Sequence, residues 1–172
     1  MTTLDFSIRP ESPLDEDAIE RLHDRAFGPG RYARTAFRLR EMRNPAASQF
    51  CFSALVGSLL VGSVRQSPVW AGTSPALILG PLTVDPSFEG VGIGSALMRR
   101  ALAAAKDAGD TLVLLVGDEP YYRRFGFGVV PTGQLVLPGP VNPLRFLAAE
   151  LVPGALETAK GAVRSRLLSS EG

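Results

Sequence analysis

The spacing of apolar and polar residues changes period several times along the chain, and each change marks an element. Phe6 to Arg9 alternates and stops at Pro10, as a short strand does. Ser12-Pro13-Leu14-Asp15-Glu16 then has the composition of a helix start: Ser as N-cap, Pro in the first turn, acids near the positive end of the dipole. Ala18, Ile19, Leu22 and Ala26 follow at helical spacing. Gly28-Pro29-Gly30 ends that helix, and Tyr32 to Met42 reads as a second, strongly basic one. From Phe50 the pattern becomes β-rich. Phe50–Val56, Leu59–Val69 and Ala76–Val84 are separated by Gly57-Ser58 and by Gly72-Thr73-Ser74-Pro75, which predicts an antiparallel meander.

Gly92 to Ala108 predicts a helix with Ile93, Ala96, Leu97, Ala101, Leu102 and Ala105 on one face and Gly109 at its C-terminal end. Thr111–Val116 is a continuous apolar run, the signature of a strand covered on both faces. A helical turn around Tyr121–Arg124, a strand near Val129-Val130, a proline-rich connection from Pro131 to Pro143 and a last strand at Phe146–Leu151 complete the order β-α-α-β-β-β-α-β-α-β-β. Hairpins followed by a strand–helix–strand crossover predict an α/β (α+β) fold with a mixed sheet, not a doubly wound one.

Composition narrows the function. The 172 residues are one domain's worth, and 45% hydrophobic residues suffice for a packed core. Eighteen Lys and Arg against 17 Asp and Glu leave no broadly basic surface, so no nucleic-acid partner is expected. The single cysteine, Cys51, lies between Phe50 and Phe52 and reads as a buried structural thiol; a disulfide framework and a Cys-based zinc site are excluded. With no signal-like N-terminus and no membrane-length apolar run, the expected setting is cytoplasmic, without membrane attachment.

The chemistry concentrates between Leu79 and Leu97. Gly90, Gly92 and Gly94 let a backbone approach a ligand closely, and the helix beyond them offers free N–H groups and a positive dipole end, an anion site suited to phosphate. Tight strand–helix packing is the competing explanation, but three glycines cost more helix stability than packing requires. A P-loop fails because no Lys follows. A dinucleotide fingerprint is a weaker alternative, since its last glycine would fall on Ser95 or Leu97. Upstream, Gly80-Pro81 interrupts a good strand, and a bulge there would part it from the next parallel strand, Thr111–Val116. Backbone groups at Leu82 and Val84 would then be open to an extended, amide-bearing ligand with phosphates at one end. Pantetheine on a pyrophosphate has that shape.

Glu89-Gly90-Val91-Gly92-Ile93-Gly94 resembles the cofactor loop Gln/Arg-x-x-Gly-x-Gly/Ala of the GNAT superfamily of acetyl-CoA-dependent N-acetyltransferases. Tyr122-Arg123-Arg124-Phe125-Gly126-Phe127 resembles its second signature, Tyr-x-x-x-Gly-Phe. Leu79-Gly80-Pro81-Leu82-Thr83-Val84-Asp85-Pro86 paired with Val116-Gly117-Asp118 and Tyr121-Tyr122 is most similar to the YhbS-like bacterial branch. The resemblance covers about 6–131, with 132–172 a C-terminal strand and tail, so residues 1–172 are expected to form a single N-acetyltransferase domain. It implies a mostly antiparallel sheet of six to seven strands with about four helices, splayed between strands 4 and 5.

The same resemblance implies acetyl-CoA as co-substrate, no metal, and direct attack by a primary amine within a ternary complex. By resemblance the Leu82 N–H is the oxyanion donor and Tyr122 the general acid, with Tyr121 the alternative if the short helix is rotated. Leu82, Thr83, Val84, Glu89, Gly90, Val91, Gly92, Ile93, Gly94, Ser95, Asp118, Tyr121, Tyr122 and Phe125 would contact the cofactor. Glu89 departs from the family's Gln or Arg, and a carboxylate beside a pyrophosphate is unfavourable unless it faces solvent. Arg99 and Arg100 could compensate, although solvated arginines are the simpler reading. No carboxylate lies on Ala76–Val84 to act as base, and His23 is expected on a solvated helix face. The acceptor would be a small-molecule or peptide amine, and an exposed late strand would support a homodimer. The rival reading is a catalytically silent acyl-CoA-binding regulatory module.

Overall fold

The structure, a computed structural model, describes residues 4–27 and 49–166. Among the described residues the strands are β1 Ser7–Pro10, β2 Phe52–Val56, β3 Leu59–Ala71, β4 Ser74–Val84, β5 Leu112–Val116, β6 Phe127–Val129, β7 Leu135–Val136, β8 Phe146–Glu150 and β9 Gly161–Ser165. The helices are α1 Glu16–Phe27, α2 Ile93–Asp107 and α3 Glu119–Tyr122. The helix expected at Tyr32–Met42 lies outside the described residues.

The main path of the sheet runs β1-β2-β3-β4-β5-β8-β6, and every neighbouring pair along it is antiparallel except β4–β5. This is the mixed, mostly antiparallel sheet that the meander and the single crossover predict. The tail adds what the sequence did not reveal. Leu135–Val136, inside the proline-rich connection, pairs in parallel with β9, and β9 pairs with the far end of β3 at Val69–Ala71.

The long strands are covered on both faces. Under α2 the core joins Ile93, Leu97, Met98, Ala101 and Ala105 to Val64, Leu77, Leu79, Val113 and Leu115. Gly62 makes the approach possible, because a Cβ there would lie 3.0 Å from both Ile93 Cγ2 and Leu97 Cδ1. A second core, around Ile78, Leu112, Leu114, Leu135 and Phe146, lies on the opposite side of the same strands, where the C-terminal segment covers them. Cys51 is buried and its thiol faces the Gln66 carbonyl at 3.5 Å, the structural role expected of it.

Helix α1 packs Ile19 and Leu22 against Leu60. His23 belongs to this sheet-facing stripe, one helical turn from Ile19, and is fully buried. The expectation of a solvated face for His23 is thereby corrected: tertiary packing rotated the helix so that its polar histidine joined the apolar stripe. Charges anchor the helix start. Arg9 grips Asp15 at 2.7 and 2.8 Å, while Asp15 also accepts from the Ser12 N–H and the Ser53 hydroxyl. Buried Arg65 reaches Glu11 at 2.8 Å and Glu16 at 3.1 Å. Among the described residues no helix is long and apolar enough to cross a membrane.

Candidate active site

The site begins with an irregularity in β4. Val64 opposes Leu82 and Gln66 opposes Leu79, so Gly80 and Pro81 together face Arg65 alone. This is the bulge expected at Gly80-Pro81, and the bond between the two residues is cis. Past it β4 leaves its parallel neighbour. Leu77–Leu79 pair with Val113–Leu115, whereas β4 continues to Val84.

Hydrogen-bond alternation shows what the parting exposes. The Asp85 N–H donates to the Val61 carbonyl at 2.8 Å, so Thr83, opposite Ser63 in the same register, is also a hydrogen-bonded position. Leu82 and Val84 fall between, with N–H and C=O directed away from β3, toward the side where β5 no longer pairs. Their side chains pack on the α2 core. Thr83 differs from its neighbours. Its backbone is turned to β3 and its side chain is buried on the α1 face, so the fold does not bring it to the gap.

Below the gap lies the glycine loop. Asp85 holds its start, accepting from the Ser87 N–H at 2.9 Å and pairing with Arg25 at 3.0 Å. Gly90 and Gly92 have φ of +83° and +94°, values that side-chain-bearing residues rarely adopt, and the space on their Cβ side is open. Gly92 is the N-cap of α2 and has no side chain to cap it. The first helical bond is Ala96 N–H to the Gly92 carbonyl at 3.1 Å, which leaves Ile93, Gly94 and Ser95 with N–H groups free of helical partners. Glu89 and Val91 are exposed. An open cradle of N–H groups beside a half-unpaired strand fits a ligand with phosphates at one end and an extended amide chain at the other.

The far wall is α3 and the turn after it. Tyr121 sets its hydroxyl beside Gly94, where an added Cβ would meet it at 3.1 Å. The Tyr122 ring packs against Gly117 and lies edge-on to Tyr121 at 4.8 Å and Phe127 at 6.1 Å. Burial, with the Tyr121 phenol and Asp118 adding to it, pushes the Tyr122 hydroxyl up to about 12. Asp118 is exposed and pairs with Arg145 at 3.4 Å. Phe125 lies edge-on to Tyr121, with ring centroids 5.7 Å apart.

The fold thus assembles Leu82, Val84, the loop from Glu89 to Ser95, Tyr121, Tyr122 and Phe125 around one gap. Arg99 and Arg100 are exposed, lying over the rings of Phe125 and Phe52 at 5.7 and 5.2 Å. The residue that sequence reasoning missed is Arg124, whose Nη2 donates to the Ser95 hydroxyl on the first turn of α2. Its place inside the second signature was a signal, but nothing in the sequence said that it reaches α2. Among the described residues no group of three or more His, Cys, Asp or Glu side chains is placed to hold a metal.

A splayed β4–β5 pair above a helix-capped glycine loop defines an acyltransferase-type fold, and comparison with known proteins gives its family. The model of the acetyltransferase (GNAT) family matches residues 16–127. The chain belongs to that family. It is 29% identical over 168 residues to the uncharacterized N-acetyltransferase YhbS of Escherichia coli, covering 91% of this chain and 93% of that one. The crystal structure of E. coli YhbS in complex with CoA superposes with a TM-score of 0.79 at 27% identity, covering 96% of this chain and 92% of that one. A GNAT family acetyltransferase from Brucella melitensis in complex with acetyl-CoA gives a TM-score of 0.71 at 28% identity, covering 95% of this chain and 97% of that one.

Proposed function

We propose that this chain transfers an acetyl group from acetyl-CoA to a primary amine of a small molecule or peptide, the amine attacking directly while both substrates are bound. The observation that carries this reading is the gap itself. Leu82 and Val84 turn their backbone groups into it, directly beside the free N–H groups at the start of α2. The similar structures that hold CoA and acetyl-CoA support the choice of ligand.

Acetyl-CoA supplies an activated acetyl group as a thioester. The loop N–H groups of Ile93, Gly94 and Ser95 hold its phosphates, and the Leu82 and Val84 backbone groups hold the amide-bearing arm as an added strand would be held. The Leu82 N–H donates to the carbonyl oxygen of the acetyl group, where negative charge develops during attack. Tyr122 keeps its proton on Oη through neutral pH, because its pKa is pushed up to about 12, and is the donor for the departing sulfur. Strand β4 carries no carboxylate in Ser74–Val84, so the amine loses its proton through water and backbone carbonyls.

Thermal denaturation with and without acetyl-CoA tests the ligand: stabilisation that rises with concentration is expected, and its absence refutes the assignment. Release of CoA thiol with a panel of primary amines tests the reaction. Binding without release for any amine, unchanged by Tyr122→Phe, would make the chain a silent acyl-CoA-binding module instead.

A further inference from the structure

Resting on the reading of the gap as an acetyl-CoA site, we infer that Arg124 is the cation that meets a phosphate of the cofactor, in place of a basic residue on the loop. The loop and first turn of α2, from Asp85 to Met98, contain no Lys or Arg and do contain Glu89. Backbone N–H groups supply hydrogen bonds there but no net charge, while a CoA phosphate brings at least one full negative charge. Arg124 is placed to balance it. Its guanidinium lies over the rings of Tyr121 at 5.0 Å and Phe125 at 4.9 Å, and it is bonded to the Ser95 hydroxyl, beside the N–H groups of the anion cradle.

Among the described residues the neighbouring cations are committed elsewhere or lie farther along. Arg123 is held by Glu119 at 2.7 Å, and Arg145 is paired with Asp118. Arg99 sits a full helical turn beyond Ser95, over the Phe125 ring. Arg124 has no carboxylate partner among the described residues. A guanidinium has five N–H donors in a planar fork, so bonding to Ser95 and lying over two rings leave donors for a phosphate oxygen.

Isothermal titration with CoA and with dephospho-CoA, on wild type, Arg124→Gln and Arg124→Lys, tests the inference. Loss of one charge-assisted hydrogen bond predicts that Arg124→Gln weakens CoA binding about 10- to 100-fold, with Arg124→Lys recovering part of it. An equal penalty for both ligands places the contact on the pyrophosphate, and a penalty for CoA alone places it on the 3′-phosphate. Either result supports Arg124 as the phosphate cation. An unchanged CoA affinity in Arg124→Gln overturns the inference while leaving the cofactor assignment intact. So does an equal loss in both variants accompanied by a lowered melting temperature, which would show a structural clamp. Failure of the wild type to bind CoA at all would instead overturn the assignment beneath it.

Discussion

Gly117 offers a way to move Tyr122 without touching it. The residue follows β5, is buried, and donates its N–H to the Arg145 carbonyl at 2.9 Å. A Cβ added there would lie 2.4 Å from Tyr122 Cε2, 3.0 Å from Cδ2 and 3.1 Å from Leu115 Cδ1. Carbon atoms normally rest about 3.5–4.0 Å apart, so Gly117→Ala forces the tyrosine ring back by about 1 Å. Gly117 is not among the glycines with positive φ, so alanine adopts the same backbone without strain. The cost in stability is that of overpacking, about 1–3 kcal/mol. The cost in rate is larger, because a 1 Å misplacement of a reacting group lowers kcat about 100-fold. CoA-thiol release with one active amine measures kcat, titration measures CoA affinity, and circular dichroism melts measure stability. Gly117→Ala should lose about two orders of magnitude in kcat while CoA affinity holds to within about threefold. In a Tyr122→Phe background the same change should cost almost nothing further, because the displaced hydroxyl is already gone. Wild-type kcat in a folded Gly117→Ala protein, or a full additive loss in the Phe background, would refute Tyr122 as the proton donor.

Leu82→Pro removes the proposed oxyanion donor at a position whose N–H makes no bond to β3, so kcat should fall about 10²- to 10³-fold with the fold retained, as read from thiol release beside a melting curve. The hydrogen bond from Arg9, reinforced by the Ser12 N–H and the Ser53 hydroxyl, lowers the Asp15 carboxyl from 3.8 to about 2. A depressed folded-state pKa stabilises above the unfolded value and is lost on acidification. About 1–2 kcal/mol should therefore disappear between about pH 4 and pH 2, and urea midpoints of Asp15→Asn should lack that step. Arg65→Met removes the buried guanidinium that pairs with Glu11 and Glu16 and should cost about 3–5 kcal/mol in denaturant unfolding.

Several decisive features were legible in the chain because they are local. Helix-start chemistry at Ser12–Glu16, the strand spacing from Phe50 to Val84, the apolar face of Ile93, Leu97 and Ala101, and the glycines at 90, 92 and 94 act through neighbours a few residues away. Even the bulge at Gly80-Pro81 was readable, since proline withdraws a ladder donor wherever it stands. Strands β7 and β9 were not readable. Leu135–Val136 is two residues long, and its partner at Gly161–Ser165 comes more than twenty residues later. His23 misled for a similar reason: whether a polar residue beside an apolar stripe is solvated depends on how the helix is rotated, and the sheet decides that.

Sequence alone determined the fold class and the position of the glycine loop before α2, because hydrophobic periodicity and backbone freedom are written residue by residue. Only the tertiary structure decided which backbone groups face the gap, since that depends on the β3–β4 register at Leu82 and on β5 ceasing to pair with β4 after Leu115. Only it brought Arg124 to Ser95, 29 residues earlier in the chain. Contacts between distant segments are set by packing geometry, and no local spacing encodes them.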